Sequence, residues 1–204
     1  MDHNNILGVV LAGGKSQRFG EDKSQAKLHG KILIDYIISE IIDQFNEVLI
    51  VTNNNIKFQK SDKISKTNDL KEGLGPLGGV LTAMRWIKDQ NKSYKWISTF
   101  PSDTPFFTNE ELQFFYKKID IQKSKLFFIK NNKTRHNIFG LWSIDLMDKL
   151  ESDLQKGERK VEVWADSVGV EMINFDFENK DPFFNINTKK DLEIAHNMKK
   201  NDKL

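Results

Sequence analysis

The chain has 204 residues, carries 31 Lys and Arg against 29 Asp and Glu for a net charge of +2, and contains no cysteine. Nearly balanced charge argues against a general nucleic-acid partner, and the missing cysteines exclude disulfides and thiolate metal sites, which suits a reducing cytoplasm. No basic segment precedes the first apolar run, and that run is too short for a secretion signal or a membrane span. A soluble, cytoplasmic protein without a membrane partner is therefore expected, as a single domain over 1–204.

Residues Ile6–Leu11 are apolar on both faces, which predicts a buried parallel strand. The chain then passes at once into glycines and cations, Ala12-Gly13-Gly14-Lys15-Ser16-Gln17-Arg18-Phe19-Gly20-Glu21-Asp22-Lys23. Glycines let backbone N–H groups approach phosphate oxygens, and fixed cations neutralise them. Gly14-Lys15-Ser16 is not the end of a P-loop: the first glycine of that motif would fall at Val9, inside the strand pattern. A helix is predicted over Ile32–Phe45, with its apolar stripe on Ile34, Ile37, Ile38, Ile41, Ile42 and Phe45. A strand over Glu47–Thr52 follows and ends in Asn53-Asn54-Asn55, at the end of a strand where ligands bind in such sheets. Residues 57–71 are polar and poorly periodic, with a short strand near Ile64. Gly73-Leu74-Gly75-Pro76-Leu77-Gly78-Gly79 matches a dinucleotide fingerprint only superficially, since it holds a proline and follows no clear strand. It reads as a glycine lip ahead of an amphipathic helix over Val80–Gln90.

A central strand is expected over Tyr94–Phe100, ending in Pro101-Ser102-Asp103-Thr104-Pro105, which fixes the direction of one carboxylate. Thr108 with Glu111 forms a capping box, so a helix runs from there to about Ile119. A strand at Leu126–Ile129, a polar turn at Asn131–Arg135 and a strand at Ile138–Ser143 predict a hairpin at one side of the sheet. A helix over Ile144–Leu154 follows. Another opens at Gly157-Glu158-Arg159-Lys160-Val161 and reaches about Ser167, with two cations in its first turn opposing the dipole. A strand is expected over Val170–Asp176. In Phe183-Phe184-Asn185-Ile186-Asn187-Thr188 the two amides alternate with apolar residues and face one way, and Thr188 caps the last helix with Asp191.

The segment Leu11 to Lys23 completes the pattern L-A-G-G-x-S-x-R-[MF]-G-x-D-K. It resembles the opening motif of nucleotidyltransferases, and most closely that of the molybdenum cofactor guanylyltransferases. The glycine lip resembles the family's D-…-G-x-G-P-L-x-G, Pro101–Pro105 its P-x-D-T-P, Gly157–Val161 its G-x-R-[RK]-[VL], and Phe183–Thr188 its F-x-N-[VI]-N-T. The motifs occur in family order from Leu7 to Leu192.

The resemblance implies an α/β, three-layer Rossmann-like nucleotidyltransferase fold: a mostly parallel central sheet with an antiparallel hairpin region and helices on both faces. The half about 6–120 would bind nucleotide, and the half about 121–198 would form the pterin side. The implied reaction is transfer of GMP from GTP to molybdopterin, with Mg²⁺ as cofactor. Catalytic roles fall to Asp103, Lys23 and Arg18, with Asp103 the metal ligand. Nucleotide contacts fall to Leu11, Ala12, Gly13, Gly14, Lys23, Asn53, Asp69, Gly75, Pro76, Leu77, Gly79 and Asp103, with Asn68 competing with Asp69. Asp69 would accept from guanine N–H groups or from the ribose. His136, Arg159, Asn185 and Asn187 would meet the pterin substrate; Asn137 stands where the family has proline. A cytidylyltransferase for the same cofactor, which usually opens L-A-A-G, a sugar-phosphate nucleotidyltransferase and a non-catalytic nucleotide-binding regulator are the alternatives. Contact with molybdoenzyme-assembly proteins is compatible with any of the enzymes.

Overall fold

A computed structural model describes residues 3–13, 26–71, 73–131, 134–176 and 181–200. Seven strands form one sheet: β1 (Ile6–Leu11), β4 (Val48–Val51), β5 (Ile64–Thr67), β6 (Trp96–Pro101), β7 (Leu126–Asn131), β8 (Thr134–Ser143) and β9 (Glu171–Phe175). Their order is β5-β4-β1-β6-β8-β7-β9, and a separate two-stranded ribbon pairs β2 (Lys27–Leu28) with β3 (Lys31–Ile32). Only β8 runs against its neighbours; all other pairings in the large sheet are parallel. The β7–β8 hairpin therefore does not border the sheet. β8 is inserted beside β6, and β9 takes the edge.

Both faces of the sheet are covered, which is why its central strands read as unbroken apolar runs. One face packs Ile34, Ile37, Ile38 and Ile41 of α1 (Leu33–Ile41) and Leu112, Phe115 and Tyr116 of α3 (Asn109–Lys118) over Val10, Ile50 and Phe100. The other packs α2 (Gly75–Asp89), α4 (Met147–Gln155) and α5 (Val161–Ser167) over Val9, Leu49, Phe128 and Trp142. A small third cluster joins α6 (Lys189–Lys200) to the β2–β3 ribbon through Leu28, Leu33, Ile186 and Ala195. No helix among the described residues is long and apolar enough to cross a membrane.

Several boundaries differ from the sequence reading, each for a physical reason. α1 stops at Ile41, yet Phe45 remains buried because its ring fills the space left by Gly8, where an added Cβ would lie 2.8 Å from the ring. α2 begins at Gly75 rather than Val80, so Gly75–Gly79 forms the helix's first turn and not an open lip; Pro76 is tolerated there because its missing N–H would have no helical partner anyway. A 3₁₀ turn at Ile144–Leu146 precedes α4. Arg159 and Lys160 lie just before α5, not inside its first turn. The Thr108–Glu111 capping box and the Thr188–Asp191 cap are both present.

Candidate active site

Strand register builds the site. Thr67 of β5, Val51 of β4, Leu11 of β1 and Pro101 of β6 stand abreast across the sheet. Two residues beyond each, at the carboxyl ends of these parallel strands, come Asp69, Asn53, Gly13 and Asp103 in that spatial order. Adjacent strands lie about 4.8 Å apart, so the row of strand ends spans about 14 Å. The open end of a doubly covered parallel sheet is the usual place for a ligand.

The loop ends are pinned. Ala12 donates its N–H to the Val51 carbonyl at 3.0 Å and accepts the buried Thr52 hydroxyl at 2.9 Å, so the departure from β1 is fixed against β4. Asn53 uses its side-chain oxygen to accept the Asp69 N–H at 2.9 Å. Its exposed side chain still offers two N–H donors.

Asp69 packs over two glycines. A Cβ on Gly13 would lie 3.0 Å from its Oδ2, and one on Gly79 would lie 3.6 Å from its Oδ1. Larger residues at either position would compete with the carboxylate for space. Burial raises the Asp69 pKa above the ordinary carboxylate value, and a hydrogen bond from Thr82 partly opposes that rise. Asn68 is exposed, and Asp69 alone of the two meets the glycines of the opening motif and of α2. Leu11 packs toward Gly79 from below, with its Cδ2 3.0 Å from the glycine's would-be Cβ. Leu77 is fully buried in the core, so only its backbone can face a ligand, whereas Gly75 and Pro76 are exposed.

At the other end of the row, β6 runs into a turn held by the Thr104 hydroxyl on the Pro101 carbonyl at 3.3 Å. The Asp103 carbonyl accepts the Ile186 N–H at 2.9 Å. That bond brings the 185–187 segment against the Asp103 turn, although the two lie more than eighty residues apart in sequence. Ile186 is buried as an anchor, while Asn185 and Asn187 on either side are exposed. The Asn187 N–H is taken by Asp191 at 3.0 Å, which ties the segment to α6.

The start of β8 lies at the same edge, because β8 is antiparallel to strands whose ends form it. His136 is half-buried there, with its ring 4.7 Å from Phe183. Desolvation lowers its pKa, and nearby Asp181 opposes the shift. Arg135 points to the opposite face and grips Asp166 of α5 through both guanidinium nitrogens, at 2.9 and 3.1 Å, with Glu162 at 3.3 Å. Opposite the junction of Phe128 and Ile129 the register shifts, so that Asn137, Ile138 and Phe139 bulge out of β8. That bulge is where proline stands in the resembled pattern. Arg159 donates from Nη1 to the carbonyls of Leu154 and Glu158 at 2.7 and 2.6 Å, so its guanidinium satisfies the end of α4. It stays exposed, and its carbonyl is the nearest atom, at 3.9 Å, to a Cβ built on Gly75. The stretch before α5 thus abuts the first turn of α2. Gly14, Arg18 and Lys23 lie outside the described residues.

Two residues in these contacts, Thr52 and Thr82, carry no motif and are invisible to motif reading. Thr82 did leave a signal, as a polar residue in the apolar run Val80-Leu81-Thr82-Ala83-Met84.

Comparison with known proteins identifies the family. A model of the MobA-like NTP transferase domain matches residues 8–168. A molybdenum cofactor guanylyltransferase of Yersinia pseudotuberculosis is 31% identical over 193 residues, covering 93% of this chain and 94% of its own. One of Nitrobacter hamburgensis is 25% identical over 194 residues, covering 94% and 93%. The solved molybdopterin-guanine dinucleotide biosynthesis protein A of Archaeoglobus fulgidus has a TM-score of 0.72 at 22% identity, over 96% of this chain and 99% of that one, and so shares the fold. A family model spanning most of the sequence, and a relative 31% identical along nearly its full length, place this chain among the MobA-like NTP transferases.

Proposed function

We propose that this protein transfers GMP from GTP to the terminal phosphate of molybdopterin in the cytoplasm, releasing pyrophosphate. The observation that carries this reading is the in-register row of strand ends Thr67, Val51, Leu11 and Pro101, from which Asp69, Asn53, Gly13 and Asp103 follow. Its length of about 14 Å suits a nucleotide laid across the strand ends, nucleoside at Asp69 and phosphates toward Asp103. The relatives named molybdenum cofactor guanylyltransferase support the choice of substrates.

The half about 6–120 holds the nucleotide in this reading, and the half about 121–198 presents the second substrate. A molybdopterin phosphate oxygen attacks the α-phosphorus of GTP. One P–O bond forms there, and the bond to the bridging oxygen of pyrophosphate breaks. The nucleophile is already anionic, so no general base is required, and catalysis is positioning and charge neutralisation. The Gly13–Gly14 amides, Arg18 and Lys23 stabilise the leaving pyrophosphate. Asn185 and Asn187 orient the second substrate beside Asp103, with His136 at the start of β8 and Arg159 against the first turn of α2 as its further contacts.

The residues present fit Mg²⁺. Among the described residues no cluster of three or more His, Cys, Asp or Glu forms a ready cage. Asp103 supplies one hard oxygen donor, as expected for an ion held mainly by substrate phosphates and water. When bound, the ion neutralises phosphate charge. Asp103 would be its protein ligand, with Asn185 and Asn187 on the segment that Ile186 pins to the Asp103 turn.

Pyrophosphate release with GTP, CTP, ATP and UTP, each with and without molybdopterin, tests the reading. Release should require molybdopterin and be fastest with GTP. Asp103→Ala should lower turnover by about 10²–10³ while the protein stays folded. Near-full turnover in that variant, or equal use of CTP, would overturn the assignment.

A further inference from the structure

We infer that Thr82, a buried residue of α2, is the positioning residue that holds Asp69 ready to read hydrogen-bond donors on the nucleoside of GTP. The inference rests on the nucleotide reading above and adds a residue outside every motif. Thr82 is 2% exposed, so it touches no substrate itself. Its hydroxyl oxygen accepts the Leu70 N–H at 3.1 Å, and its proton faces two acceptors, the Gly78 carbonyl at 2.8 Å and Asp69 Oδ1 at 3.2 Å.

A buried helical threonine commonly satisfies itself on the carbonyl four residues back, as Thr82 does on Gly78. The contacts with Leu70 and Asp69 go beyond that need: the oxygen accepts the Leu70 N–H, and its single proton is shared between the Gly78 carbonyl and Asp69. Together with Asn53, which accepts the Asp69 N–H at 2.9 Å, they bracket one residue. The peptide entering Asp69 is held by Asn53 and the peptide leaving it by Thr82. Thr82 also steers one carboxylate oxygen, which turns the other, Oδ2, over Gly13. A hydrogen bond to the ionised carboxylate also opposes the burial that would neutralise it. Asp69 is thereby kept as an acceptor pair with a fixed direction.

Two sets of groups on the nucleoside can meet such an acceptor pair: the N1–H and 2-amino group of guanine, which one carboxylate accepts together, or the ribose 2′-hydroxyl. Inosine triphosphate lacks the guanine amino group, and 2′-deoxyGTP lacks one ribose hydroxyl. The test measures affinity and steady-state kinetics for GTP and these two analogues in the wild type, Thr82→Val and Thr82→Ser. The wild type should prefer GTP over at least one analogue, and which one identifies the group read. Thr82→Val keeps the shape and deletes the hydroxyl. It should lose that preference by about tenfold, through KM for GTP with kcat nearly unchanged. Thr82→Ser should restore it. Should the valine variant not fold, Thr82→Ala removes the same hydroxyl and the same loss is expected.

A hydroxyl-free variant that keeps the wild-type preference, whatever its melting temperature, overturns the inference and leaves Thr82 a packing residue. A wild type that prefers GTP over neither analogue overturns the role of Asp69, and the inference with it. The pyrophosphate-release assay judges the reaction separately in that case.

Discussion

A single methyl at position 13 tests how tightly the nucleoside end is built. The Cβ of Gly13→Ala would lie 3.0 Å from Asp69 Oδ2. Asp69 cannot retreat as a unit, because side-chain acceptors hold the peptides on both sides of it. Its carboxylate must rotate instead, and the expected result is a KM for GTP raised about tenfold with kcat little changed, read by steady-state kinetics. This gives a physical sense to the difference between L-A-G-G and L-A-A-G openings: the first glycine position, Gly13, either admits an acid or excludes it. The same carboxylate predicts a pH effect. Its pKa is raised by burial, and only the ionised form accepts from donors. GTP affinity should therefore fall on acidification, beginning at a higher pH than an ordinary aspartate would dictate, and Asp69→Asn should abolish that limb. Sequence reading reached Asn53 because it follows a strand, and Asp69 through the resemblance of its segment to the family's D-…-G-x-G-P-L-x-G. It could not reach the bond between Ile186 and Asp103, which depends on tertiary contact between distant segments, and the polar Thr82 in its apolar run gave no sign of which residues it would meet.

At the scale of elements, the period of apolar residues carried most of the fold. The strands at Ile6–Leu11 and near Ile64 and both capping boxes were legible, because each is decided by neighbouring residues. The failures share one cause. Phe45 continues the helical stripe of α1 while packing from a loop, and Gly75-Pro76 looks like a break while forming a first turn. Tertiary packing settles both. The β8 strand shows this again at Gly140, whose added Cβ would lie 2.7 Å from the Phe127 carbonyl oxygen and 2.8 Å from Phe128 Cε1. Backbone on one side and a buried ring on the other leave no room, so Gly140→Ala should destabilise by about 1–3 kcal/mol or more, seen as a lower denaturant midpoint. The start of β8 adds an acid sensitivity. His136 has a pKa lowered below 6.5 in the fold, so the unfolded chain takes up its proton first as pH falls. Stability is full above about 6.5 and declines below it, and His136→Phe should flatten that decline in thermal melts between pH 7 and 5.

For the whole molecule, the site belongs to no single element. Its row draws on four strands between residues 6 and 101, and its second flank on residues 185–187 pinned to the Asp103 turn. A ligand across that row contacts groups that are neighbours only when the sheet is complete, so it binds the folded state and not the unfolded chain. Mass action then sets the stabilisation. At a GTP concentration a hundredfold above its dissociation constant, the fold gains about 2.7 kcal/mol. For a chain of 204 residues, that corresponds to a melting temperature raised by about 5–10 °C. The shift should need Mg²⁺ for its full size, since in the proposed reading the phosphates meet one protein carboxylate at the Asp103 end, and Asp103→Ala should reduce it without lowering the melting temperature of the free protein. CTP at the same concentration should give a smaller shift, because cytosine offers Asp69 no guanine edge. A CTP shift equal to that of GTP would mean that the acid at the far end of the row reads no base, and that the four strand ends hold only the ribose and the triphosphate.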